Sequence, residues 1–90
     1  MSRRQKLIQR WRDSPPTEEQ FEKIRSVLEY YGFTFRFGSS HPVASHPDLR
    51  DNPSFQMGEI TIPTMKGRMV KGFYLKRIIV ALEYLGVFDI

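Results

Sequence analysis

Residues 17–38, TEEQFEKIRSVLEYYGFTFRFG, decide the fold. Their first part repeats apolar side chains at helical spacing, so that Phe21, Ile24, Val27, Leu28 and Tyr31 share one face. Thr17 with Gln20 three positions on reads as a capping box, Glu18 and Glu19 complement the helix dipole, and Gly32 supplies the stop. The spacing predicts a helix over 17–32. The period then drops to two: Phe33, Phe35 and Phe37 fall on one side, Thr34 and Arg36 on the other, the pattern of a strand with one buried face.

Working outward, KLIQRW (6–11) places Leu7, Ile8 and Trp11 on one face of a short extra helix, which the prolines of DSPP end. Downstream, HPVASH (41–46) reads as a short strand with Pro42 at its start, and residues 47–58 have loop chemistry. EITIP (59–63) predicts a third strand with Ile60 and Ile62 inward, and TMKGRMVKG (64–72) a basic loop. A second helix is expected over 73–85, with Leu75, Ile78, Ile79, Leu82 and Leu85 on one face and Gly86 closing it. Helix, three strands, helix is an α+β sandwich: two helices on one face of a three-stranded antiparallel sheet whose other face is open. The expected division is a basic arm with a short helix over 1–16 and the domain proper over 17–90.

Ninety residues make one domain with a modest core. No apolar run approaches the roughly 20 residues of a membrane span, the basic start lacks the apolar centre of a secretory signal, and no cysteine is present. A cytoplasmic protein without disulfides or thiolate metal sites is expected. The charge is uneven. Arg3, Arg4, Lys6, Arg10 and Arg12 precede the first acid, and Lys66, Arg68, Lys71, Lys76 and Arg77 fill the acid-free interval between Glu59 and Glu83. Two unopposed basic blocks suit a phosphate backbone, so nucleic acid leads the candidate partners.

Several chemistries are excluded or weak. GRMVKG has the glycine spacing of a phosphate-binding loop, but Phe73 and Tyr74 stand where lysine and serine or threonine are required. His41 and His46, five apart in extended chain, alternate faces and make a poor metal pair even with Asp48 nearby. Ser39 and Ser40 lie on no nucleophile elbow. No metal and no small-molecule cofactor is therefore expected. His41 is the residue that remains for chemistry, because an imidazole takes and gives protons near neutrality. An exposed loop histidine without a role is the alternative. For His46, before Pro47, the alternative is a strand-end histidine bonded to backbone.

The run Arg36-Phe-Gly-Ser-Ser-His-Pro42, followed by His46-Pro47, resembles the signature of HicA toxins, small ribonucleases of bacterial toxin–antitoxin pairs. Members typically carry Arg, two residues, Gly-Ser-His-His, three residues, then His-Pro. Arg36, Ser40, His41, His46 and Pro47 fall in that register without a gap; Ser39 replaces the glycine and Pro42 the second histidine. VLEYYGF is similar to the end of the family's first helix, and ITIPTMKGRMVKGFYLKRIIVALEYLGV to its last strand, basic loop and final helix. The loop after Pro47 is long, and Met65 stands near where many members carry another histidine.

The resemblance, over about residues 17–88, implies a double-stranded-RNA-binding-like α-β-β-β-α fold. It further implies metal-independent endoribonuclease action on messenger RNA, and neutralisation by a HicB-type antitoxin. The family's catalytic histidine maps onto His41. Ser40 is then expected to orient it or touch phosphate, with Arg36, Ser39, Lys66, Arg68 and Lys71 on the RNA and His46 a secondary candidate for proton transfer. Two other readings stay open: a non-catalytic RNA-binding module of the same fold, and a basic groove that accepts an acidic polypeptide.

Overall fold

The period-two stretch after Gly32 forms the strand it predicts, at the edge of a sheet that the rest of the chain wraps on one side. The computed structural model describes residues 2–38, 40–66 and 68–88. In chain order the elements are α1 (Arg3–Asp13), β1 (Glu18–Gln20), α2 (Phe21–Tyr30), β2 (Thr34–Arg36), β3 (Val43–Ser45), β4 (Glu59–Thr61), β5 (Met69–Lys71) and α3 (Leu75–Tyr84). Single 3-10 turns occupy Pro47–Leu49, Gln56–Gly58 and Gly72–Tyr74. The molecule is an α+β domain.

Strands β2, β3 and β4 pair antiparallel in that order, with Phe35, Ala44 and Ile60 aligned across the sheet. This row joins a buried cluster with Phe21, Ile24 and Leu28 of α2 and Leu75, Ile78 and Leu82 of α3. The adjacent rows place Thr34, Arg36 and Thr61 on the exposed side. Ile60 and Ile62 both point inward, as their alternation predicts, and Leu49 and Phe55 pin the long loop into the core. Full burial of each such side chain contributes about 1.5–3 kcal/mol.

Four expectations need correction. Residues 18–20 are not the first turn of a helix. They form β1, paired with β5 in the register Glu18–Lys71, Glu19–Val70, Gln20–Met69. Helix α2 starts at Phe21, and its N-cap Gln20 makes no side-chain capping bond. Cross-chain pairing overrides the local capping pattern, and the capping box appears instead at Ser2 and Gln5 of α1. Second, the basic segment 64–72 is no plain loop: Met65 and Met69 bridge a tight hairpin that leads into β5. Third, α3 begins only at Leu75, after a 3-10 turn, and Leu85 is half-buried. Fourth, Phe37 lies outside the core at 48% exposure, because β2 ends at Arg36.

The N-terminal helix is longer than KLIQRW alone, and it is packed into the domain. Ile8 and Trp11 are buried in the common cluster. Trp11 Nε1–H donates to Glu19 Oε2 at 3.0 Å, and the backbone N–H of Gln20 donates to Glu19 Oε1 at 2.9 Å. Glu19 is thus a buried carboxyl group whose two oxygens are both met by donors, so neither acceptor is left unsatisfied away from water. Gly72 closes the assembly: a β-carbon at this position would lie 1.9 Å from the carbonyl oxygen of Pro16. Only glycine lets the two backbones approach.

Candidate functional site

The two histidines have different environments. His46 caps the Pro47–Leu49 turn: its Nδ1 accepts the backbone N–H of Asp48 at 3.0 Å. An acceptor at Nδ1 places the proton on Nε2, which donates to the carbonyl oxygen of Tyr31 at 3.0 Å. The ring also meets Phe33 edge-on at 5.0 Å, and Gly32 (φ +97°) leaves room for it, since a β-carbon there would stand 3.0 Å from Nε2. Both nitrogens of His46 are committed to backbone that joins the end of α2 to the long loop.

His41 sits just before β3, half-buried, with Nδ1 screened from solvent. The backbone N–H of Ile62 donates to Pro42 O at 2.9 Å, which carries the β3–β4 ladder past its last paired strand residues. Continuing that register puts His41 opposite Pro63, two positions before Met65 opens the basic hairpin. Ser40 is exposed next to it, and Ser39 lies outside the described residues.

The hairpin and the histidine loop meet at Phe21. Its backbone N–H donates to Arg68 O at 2.8 Å, and the Arg68 guanidinium lies 5.1 Å from its ring centroid. On the other side, Phe35 and Phe37 approach the same ring edge-on at 5.7 and 6.3 Å. Arg68 is held at φ +59° between the Met65 carbonyl that receives its N–H and the Phe21 amide bonded to its oxygen. This left-handed conformation is uncommon outside glycine, and the hairpin tip is fixed by hydrogen bonds at both faces of the Arg68 peptide unit.

The candidate cations separate into two groups. Arg36 pairs with Glu59 and Arg68 with Glu22, each at 2.8 Å and each at the surface. The Arg36 hydrogen bond and charge hold the Glu59 carboxyl below its ordinary range, and Glu59 in turn raises Arg36. Exposed pairs of this kind are worth little, so a phosphate can replace the carboxylate. Lys66 and Lys71 are exposed and have no ion pair among the described residues. Lys71 instead lies across β1 from Glu18.

Sequence reading treats Phe21 only as core, yet it is the joint on which the site is assembled. Its position at the start of α2, directly after a strand, was the missing signal. Among the described residues no group of three histidine, aspartate or glutamate side chains converges as metal ligands, and no helix is long and apolar enough to cross a membrane. No family model matches the chain, nor does any curated protein or solved structure.

Proposed function

We propose that the chain is a HicA-like, metal-independent endoribonuclease with a double-stranded-RNA-binding-like core made by α2, β2, β3, β4 and α3. The observation that carries the reading is the place of His41: continuing the β3–β4 register sets it opposite Pro63, two positions before the basic hairpin opens at Met65, while both ring nitrogens of His46 are held by backbone. His41 then takes the proton from a ribose 2′-hydroxyl. The 2′-oxygen attacks the adjacent phosphorus, the bond from phosphorus to the 5′-oxygen breaks, and solvent returns a proton to that oxygen. The products are a 2′,3′-cyclic phosphate and a 5′-hydroxyl. Lys66 and Arg68 oppose the charge that develops on the phosphate, Arg36 and Lys71 hold the flanking backbone, and Ser40 contacts phosphate. The partner that fits the basic face is an acidic antitoxin of HicB type, acting in the cytoplasm.

The test is incubation of the pure protein with messenger RNA in EDTA. EDTA-resistant cleavage by the wild type, abolished in His41→Ala assayed at a temperature where that variant is folded, is expected. RNA that is shifted on a gel but stays intact would leave a non-catalytic RNA binder in its place.

A further inference from the structure

A groove of about 670 Å³ runs between α1 and α2, and His41 does not line it. Leu7 and Val27 contribute apolar lining, while Arg3, Arg4 and Lys23 supply positive charge. Its one carboxylate, Glu22, pairs with Arg68 of the basic hairpin at 2.8 Å, and the three cations outnumber it whether or not that pair is kept. Arg4 is held in place, its guanidinium 3.3 Å from the centroid of the Tyr30 ring. A guanidinium stacked this way loses little further freedom on meeting an anion.

We propose that this groove is a second nucleic-acid subsite, which takes the phosphate backbone of the RNA strand beyond the cleavage point. The inference rests on the endoribonuclease reading and extends it to the N-terminal helix. Continuity carries it. The Arg68–Glu22 pair joins groove to hairpin, and Arg25 lies 4.9 Å from the ring centroid of Phe37 in the histidine loop. Along α2 a single strand leaving His41 meets Arg25, paired with Glu29 at 3.3 Å, and then the groove cations Lys23, Arg3 and Arg4. The apolar lining of Leu7 and Val27 suits the faces of the sugars between phosphates. No aromatic residue is among the described lining residues, so the groove offers no ring pocket of the kind that anchors a peptide side chain, which favours RNA.

The experiment uses the full chain and the triple variant Arg3→Gln, Arg4→Gln, Lys23→Gln. Binding of a long heteropolymeric RNA is followed by fluorescence anisotropy over a salt series, with cleavage of short oligonucleotides in parallel. Loss of three phosphate contacts should reduce the log–log salt slope by about 2, at roughly 0.7 per single-strand contact. Between 50 and 200 mM salt the wild type then loses about 20-fold more affinity than the variant. Short-oligonucleotide cleavage should not change. The double variant Arg3→Gln, Lys23→Gln keeps the Arg4–Tyr30 stack and guards against a folding artefact; its slope should fall by about 1.4. Equal slopes, with a wild type that cleaves, would overturn the groove alone. A wild type that neither binds nor cleaves long RNA would overturn the ribonuclease reading and the groove with it. Polyglutamate bound by the wild type and lost in the triple variant, with RNA slopes unchanged, would assign the groove to an acidic polypeptide and refute the RNA subsite.

Discussion

Replacing each histidine by alanine separates structure from chemistry. His46→Ala removes the hydrogen bond from the Asp48 amide and the one to the Tyr31 carbonyl, each worth about 0.5–1.5 kcal/mol net. It also removes the edge contact with Phe33, worth about 0.5–1.5 kcal/mol beyond its buried area. The sum is about 3 kcal/mol. For a domain of this size 1 kcal/mol moves the thermal midpoint by about 4–8 °C, so His46→Ala should melt about 12–24 °C below wild type. His41→Ala should cleave nothing at a temperature where it is folded. Thermal melting followed by far-ultraviolet circular dichroism measures the first quantity, and the RNA assay on the same preparations the second. At a temperature where His46→Ala is still folded, its cleavage rate should approach that of wild type. The reasoning is refuted if His46→Ala keeps its stability and loses cleavage, because the ring would then act on RNA and not on the backbone. Gly32→Ala offers an internal check. Its new methyl meets Nε2 at 3.0 Å, so part of its cost should vanish when His46 is already alanine, while the strain of φ +97° stays.

Gly72→Ala should prevent folding or cost more than about 3 kcal/mol, since its β-carbon has no room beside the Pro16 carbonyl; a normal melting curve would refute the close approach. Trp11→Phe removes one of the two donors to the buried Glu19 carboxylate and should cost about 1–3 kcal/mol in denaturant titrations. The Arg36–Glu59 pair gives a pH dependence of known sign. Because the folded carboxyl titrates below its unfolded value, the pair's contribution is present above the ordinary glutamate range, about pH 4.3, and is lost as pH falls through the lowered value. Wild type should therefore be slightly more stable than Glu59→Gln at neutral pH and no more stable in acid; a gap that widens on acidification would contradict the assignment.

The parts of this fold legible in sequence are those whose signal is local. Phe21, Ile24, Val27 and Leu28 announce one helix, Leu75, Ile78, Ile79 and Leu82 the other, and Gly32 stops the first because it alone adopts the required positive φ without strain. Ile60 and Ile62 give the third strand of the main sheet. The β1–β5 pair was hidden. Three-residue strands carry almost no period, and Thr17–Gln20 has real capping chemistry that loses only to hydrogen bonds formed with residues far along the chain. The same holds for Glu19, which sits among surface acids in the sequence but against Trp11 in the structure. For the site, the motif register already puts His41 first and His46 second, but the sequence does not show which backbone groups would hold the His46 ring. Those bonds depend on Tyr31, whose carbonyl reaches His46 only once α2 has turned at Gly32.

The hidden pair of strands is also what positions the candidate site. A basic hairpin attached only through β4 would be free to swing about Pro63 and Thr64, and its cations would visit His41 only part of the time. Pairing β5 with β1 ties the far side of the hairpin to the residue before α2, and the Phe21 amide locks its tip through Arg68 O. Because Phe21 also packs against Phe35 and Phe37, any displacement of the hairpin must disturb the strand that leads to His41. The ladder extends by one bond at each end, from Gly72 N–H to Thr17 O and from Phe21 N–H to Arg68 O, so the constraint spans the whole return strand. On the proposed reading, preorganisation of this sort holds positive charge ready for the phosphate, with no reorganisation needed as the reaction would proceed. The segment whose sequence most resembles a helix start is thus the one that must be a strand, because a helix there would leave the hairpin without its second support.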